Sequence, residues 1–237
     1  MSSNSMPLHH GFRTEFLDFQ RGIQVGHLEP HQRITQILKL SLEENYRQPF
    51  VTDRWGRGVY WQWICFLPKA NRAAKPISSH VNFGCSKFFV MIDRDQNIFK
   101  SGFQVERGFI RAPKDYRDCQ LRNDWDWHRL IRALEVKSGF YEQLRRLVQT
   151  EGFRVHGGSW DVPSEYIRSN FPSRRQLLRC LNRAQQKHWS GFQVYYPMTA
   201  EEVQSSTGAD LVEAVLAVFR EVTPLMNQCM QIVLEPR

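Results

Sequence analysis

The chain has 237 residues, of which 41% are hydrophobic, 13% aromatic and 24% charged, a balance that excludes wholesale disorder, collagen-like repeats and low-complexity character. Its longest uninterrupted apolar run is six residues, Ala214 to Phe219, against the roughly 20 that a membrane helix needs, so no membrane partner is expected. The formal net charge of +8 is carried by 24 arginines and 8 lysines. Arginine forks bind phosphate and carboxylate bidentately, so this bias allows a nucleic acid or other anionic partner, although a GC-rich genome produces the same bias.

Arg13 is the first positive charge and no apolar stretch follows it, which is not the pattern of a secretory signal. The five cysteines, Cys65, Cys85, Cys119, Cys180 and Cys229, are odd in number, scattered and without a CxxC pair. That spacing speaks against a disulfide scaffold or zinc ribbon and for reduced thiols in a cytoplasmic protein. Residues 1–12 are polar and are expected to be a disordered segment. Residues 13–237 show no linker and no composition break, and are expected to form a single domain.

Pro30 opens the first predicted helix, which runs to about Tyr46 with Ile34, Ile37, Leu38 and Leu42 at helical spacing. The run Val59 to Leu67 is strongly strand-forming, and Pro68 ends it. Lys69 to Ser78 reads as a loop, and His80 to Gly84 as a short strand. Lys87 to Asp93 and Ile98 to Glu106 flank a turn and read as a hairpin, with Ile98, Lys100, Gly102, Gln104 and Glu106 on one face and Phe99, Ser101, Phe103 and Val105 on the other. From Asp124 the period becomes helical. Trp127, Leu130, Ile131 and Leu134 form one stripe, and Phe140, Tyr141, Leu144, Leu147 and Val148 the next; Gly139 separates them and Gly152 caps the second. Phe153 to His156 is a strand closed by Gly157-Gly158. Ser173 with Gln176, and Thr199 with Glu202, have capping-box spacing. Phe192 to Tyr196 is a strand ended by Pro197. Leu211, Val215, Val218, Val222, Leu225 and Cys229 mark a long amphipathic helix that Pro224 should kink or break. This order predicts an α+β fold, with a central, mainly antiparallel sheet and helices packed mostly on one face.

The blocks Tyr60-Trp61-Gln62-Trp63, His80-Val81-Asn82-Phe83-Gly84 and Phe88-Phe89-Val90-Met91-Ile92 resemble the uncharacterised bacterial YktB-like α+β domains, over about half the chain. The resemblance implies an α+β fold and carries no activity, and the Lys69 to Ser78 segment departs from it.

No catalytic motif is present: the chain has no P-loop, no G-x-S-x-G elbow and no Gly-x-Gly-x-x-Gly, and no cofactor, catalytic residue or metal ligand is assigned. Glu135-Val136-Lys137 has the E-x-K pattern with which some nucleases hold Mg²⁺, with Asp124 or Asp126 as a further oxygen ligand. That pattern works from a strand, and here it follows a helical stripe, where Glu135 and Lys137 would project about 200° apart. Cys85 and Cys119 are thiol candidates with His80 or His128 as base.

Two stretches lack carboxylates altogether. Arg54 to Ile92 interleaves Arg54, Arg57 and four further cations with Trp55, Tyr60, Trp61 and Trp63. In Arg168 to Ala200, Arg175, Arg179, Arg183 and Lys187 recur every fourth residue, so they share one face of the helix that starts at Ser173. Such a row can follow phosphates, or it is a solvated face paired with the acidic segment after Thr199. The expectation is therefore a binding module for an anionic or nucleic-acid-like partner. Its contact residues are Arg54, Trp55, Arg57 and Trp61, joined by Arg107 and Arg111, together with Arg175, Arg179 and Arg183. The alternative is the Mg²⁺-dependent nuclease.

Overall fold

A computed structural model describes residues 11–78, 80–136, 139–161 and 163–236. Nine strands form one sheet in which every pairing is antiparallel. β1 (Leu17–Asp18) and β2 (Gly22–Gln24) make a small hairpin. β3 (Phe50–Arg57) and β4 (Tyr60–Pro68) make the next, and β5 (Lys87–Asp93) with β6 (Ile98–Gly108) the predicted one. β7 (Arg154–Ser159), β8 (Pro163–Tyr166) and β9 (Ser190–Thr199) complete the sheet. Its main order is β3-β4-β5-β6-β9-β7-β8, with β2 joining β4 on the edge that β5 also uses.

Among the described residues seven α-helices accompany it: α1 (Ile34–Tyr46), α2 (Lys69–Ala73), α3 (Asp126–Glu135), α4 (Phe140–Gln149), α5 (Arg174–Arg183), α6 (Ala200–Ser205) and α7 (Gly208–Cys229). The fold is the expected α+β arrangement. The buried stripes of α1, α3, α4, α5 and α7 all enter one cluster with Ile64, Phe66, Phe88, Val90, Phe99, Phe103, Val105, Phe192 and Val194 from the sheet. Cys65, Leu67, Phe89 and Tyr195, alternate residues of the same strands, form a separate, smaller cluster with Cys85 from the loop before β5, to which no helix contributes. Helices thus pack mostly on one face.

Local expectations fare unevenly. Both predicted capping boxes are formed, at Ser173/Gln176 and Thr199/Glu202, and Thr207/Asp210 makes a third at the start of α7. Lys69 to Ser78 begins as helix α2 rather than loop. His80 to Gly84 is turn and bend, not strand, and Gly157-Gly158 lies inside β7 rather than closing it. β9 continues through Pro197 to Thr199. β7 ends opposite Tyr195, so beyond that point β9 keeps only β6 as neighbour, and a missing N–H can point at the free edge. α7 is not ended by Pro224: the carbonyl that loses its amide partner belongs to Arg220, on the exposed side, where water can satisfy it.

The N-terminal expectation needs a correction at its boundary. Residues 1–10 lie outside the described residues, but Phe12 is buried in the main cluster, with its carbonyl oxygen pressed against Gly208 so closely that a Cβ there would overlap it.

Candidate functional site

Most of the predicted contact residues fall towards two opposite edges of the sheet, and Arg107 and Arg111 on neither. Arg54, Trp55 and Arg57 are exposed on β3, the outermost strand on its side, and Trp55 is the most open large hydrophobic side chain of the protein's described part at 65%. A register shift between Trp55 and Gly56 breaks the alternation of this hairpin. Gly56 has φ +150, and a Cβ on it would lie 2.7 Å from Trp61 Cα, so glycine is required where β3 crosses β4 this closely. Beyond the shift, Trp61 packs against the helix-side cluster. The Arg54 guanidinium lies 4.2 Å from the Trp61 ring centroid, a cation–π contact that occupies this ring and leaves Trp55 as the free one.

At the other edge α5 packs on β7 through Leu177 and Leu181 and turns Arg175, Arg179 and Arg183 to solvent. The helix stops at Arg183 because Ala184 takes an extended ψ of 130, so Lys187 does not continue the row. No carboxylate among the described residues lies within ion-pairing distance of these three arginines. Three of the six acids after Thr199 are engaged elsewhere: Glu221 pairs with Arg146 at 2.8 Å, and Glu202 and Asp210 cap α6 and α7. Beside α5 lies a cleft of about 440 Å³ lined by Gly157, Gly158, Ser164, Tyr166, Arg179 and Arg183 among others, with no carboxylate in its walls.

The two basic surfaces do not meet. Five strand spacings separate β3 from β7, on the order of 25 Å at about 4.8 Å per strand. Arg107 is no surface contact either. It is buried, and its guanidinium donates to Ala184 O (2.7 Å), Gln185 O (2.7 Å), His188 O (3.1 Å) and Ser190 Oγ (3.1 Å). It closes the turn after α5 from within. Arg111 is exposed, and its amide donates to Gln186 O.

The nuclease constellation does not assemble among the described residues. Glu135 is the exposed last residue of α3, and Lys137 lies outside the described residues. Asp124 accepts from Ile77 N, Ser78 N and Ser78 Oγ, which fixes a loop. Asp126 is buried against Lys75 Nζ at 2.8 Å. No cluster of three potential metal ligands occurs among the described residues. The thiol candidates fare no better: burial pushes Cys85 and Cys119 up to about 11, far from the thiolate form that attack requires. Ser159, Asp161 and His188 lie together, but the serine hydroxyl and the carboxylate both approach Nδ1 of His188. A nucleophile–base–acid relay needs the two on different ring nitrogens.

Sequence reading missed the polar network on the other face of the sheet. Lys87, Gln104, Gln193 and His156 stand side by side on β5, β6, β9 and β7. Glu106 accepts from Lys87 Nζ and Gln104 Nε2, both at 2.8 Å. Gln104 Oε1 in turn accepts from Trp63 Nε1 (3.2 Å) and Gln193 Nε2 (2.7 Å), and the Gln193 side chain reaches the His156 ring. Four residues from Gln104 along β6, Lys100 pairs with Asp93 at 2.7 Å and lies 4.6 Å from the Tyr195 ring centroid, while Tyr195 Oη donates to Glu165. Burial opposes the Lys87 charge, but Glu106 outweighs it and holds the ammonium above its ordinary pKa. Lys87, Lys100 and Arg154 are matched by Glu106, Asp93 and Glu165. The cations of this network are therefore each matched by a carboxylate rather than free for an anion, and the network acts on the sheet itself.

A scan against protein-family models, a search of curated proteins and a search of solved structures find no match.

Proposed function

We propose that this chain is a binding module for a phosphate-bearing polyanion of the nucleic-acid class, with the outer face of α5 as its main contact. The observation that carries this reading is the row of Arg175, Arg179 and Arg183. They lie one turn apart and exposed, with no carboxylate at pairing distance among the described residues. Adjacent members are separated by about 6 Å along the helix axis, and unpaired guanidinium forks in such a row are suited to successive phosphates. Arg54, Arg57 and the open Trp55 ring provide a second contact at the opposite edge, where an unpaired base can stack. The free thiols, four of them buried, fit a reducing, cytoplasmic setting.

Filter binding of a single-stranded DNA across a salt series tests this. Affinity should fall linearly in log–log form with salt, because binding releases counterions. Replacing Arg175, Arg179 and Arg183 with Gln keeps a good helix former at each position and should reduce the slope by up to about two units on a single strand, at roughly 0.7 per contact. No binding at low salt, or a slope untouched by the triple change, refutes the assignment to α5. Mg²⁺-dependent cleavage of the probe that vanishes in Glu135→Ala would replace this reading with the nuclease.

A further inference from the structure

The cleft beside α5 is built differently from the open arginine row. Arg179 and Arg183 contribute from the helix, while Ser164 and Tyr166 come from β8, two residues apart and therefore on the same face of that strand. Gly157 and Gly158 contribute no side chain to fill the space between them. Gly158 has φ +99, a conformation that favours glycine, and a Cβ on Gly157 would come 3.0 Å from Leu181 Cδ2. The cleft therefore combines two guanidinium groups and two hydroxyls with the Gln176 amide and the Cys180 thiol over a floor of glycine backbone, and its volume of about 440 Å³ lies within the range of small-ligand pockets, roughly 300–1,000 Å³.

We propose that this cleft seats a phosphomonoester, namely the terminal phosphate of a nucleic acid strand, held by the forks of Arg179 and Arg183 with Ser164 and Tyr166 hydroxyls as further donors. The inference rests on the reading of α5 as the anion-binding face and gives that face an end preference. A terminal phosphate carries about −1.5 to −2 charge and three free acceptor oxygens at neutral pH, whereas an internal diester carries one charge and two free oxygens. Two forks and two hydroxyls exceed what the diester can use and suit the monoester. Burial pushes the Tyr166 hydroxyl up to about 12, so it remains a donor at neutral pH. Arg175 does not line the cleft, so it separates the two contributions.

The experiment compares one single-stranded 12-mer in two forms, with a terminal phosphate and with a terminal hydroxyl, on the full chain at fixed salt. The phosphorylated form should bind at least tenfold tighter, and inorganic phosphate should erase that difference before it abolishes binding. Tyr166→Phe combined with Ser164→Ala should remove most of the preference and leave the salt slope in place. Arg175→Gln should do the reverse. Equal binding of the two forms overturns the cleft and leaves the α5 reading standing, and a preference unchanged in the Tyr166/Ser164 variant also overturns it. Binding of neither form overturns the α5 reading and the cleft together.

Discussion

Replacing Asp126 by Ala is expected to lower the unfolding free energy by about 3–5 kcal/mol, the cost of breaking a buried ion pair from one side. The carboxylate is the hub of a network without access to water. Lys75 Nζ lies 2.8 Å from it, Asn71 Nδ2 donates at 2.9 Å and Ser86 N at 2.6 Å. Asn71 passes the tether on, because its Oδ1 accepts from Lys75 Nζ, from Gln231 N at 3.1 Å and from Ile232 N at 3.4 Å. Asp126 and Asn71 together thus join α2, the segment before β5, the first turn of α3 and the C-terminal tail. Its removal leaves a fully buried ammonium without its counter-charge. Domains have only about 5–15 kcal/mol in total, so the variant should unfold at markedly lower urea concentration. Removing both charges together, as Lys75→Met with Asp126→Leu, should recover part of the loss, since an apolar pair of similar volume is often no worse than an ion pair. Recovery will be incomplete, because Ser86 N and Asn71 Nδ2 lose their acceptor at about 1–3 kcal/mol each. A single variant within 1 kcal/mol of the wild type would show that Lys75 reaches solvent.

The capped helices and the β5–β6 hairpin were legible because their signals are local. Ser173 and Gln176, or Thr199 and Glu202, lie three residues apart and act on each other. The same holds for α5, whose Leu177 and Leu181 fix its inner side and so place Arg175, Arg179 and Arg183 outward. β3 was hidden because it is an edge strand whose Arg54, Trp55, Gly56 and Arg57 show no clean alternation, a result of the register shift and of the polar side chains that edges favour. Arg107 was misjudged because charge alone does not distinguish a surface guanidinium from a buried one that satisfies four acceptors contributed about 80 positions away in the chain.

The sheet face opposite the main cluster was illegible for a related reason. Lys100, Gln104 and Glu106 were correctly placed opposite Phe99, Phe103 and Val105, and polar residues on alternate positions ordinarily mean solvent. Here Lys87 from β5, Gln104 from β6, and Gln193 and Tyr195 from β9 cover one another, so all are buried. Buried ion pairs contribute little net stability on their own. The Lys87–Glu106 and Lys100–Asp93 pairs instead fix the strand register: a slip by one residue would turn them into the hydrocarbon core.

His156, at the end of that row, should make the protein acid-sensitive well above the range in which ordinary carboxylates titrate. Burial holds its pKa down at about 4, with the Lys100 ammonium adding to the effect and Glu165, Gln193 and Asp93 partly offsetting it. Nε2 is buried without a hydrogen-bond partner, so a proton placed there has nothing to receive it. In the unfolded chain the imidazole titrates near 6.5. Between these values the unfolded state binds the proton and the native state does not, so stability falls as pH falls. The contribution is complete above about pH 6.5, declines by up to about 1.4 kcal/mol per pH unit below it, and is exhausted near pH 4, a total on the order of 3 kcal/mol. Urea unfolding of the wild type and of His156→Gln at half-unit steps from pH 7.5 to 4 isolates this contribution, because every other titrating group is common to both. The wild type should lose its margin over the variant progressively between pH 6.5 and 4, and the two curves should run parallel above pH 7. Parallel curves over the whole range would mean that His156 takes up its proton in the folded protein, and that this face of the sheet is open to water at the β7 end.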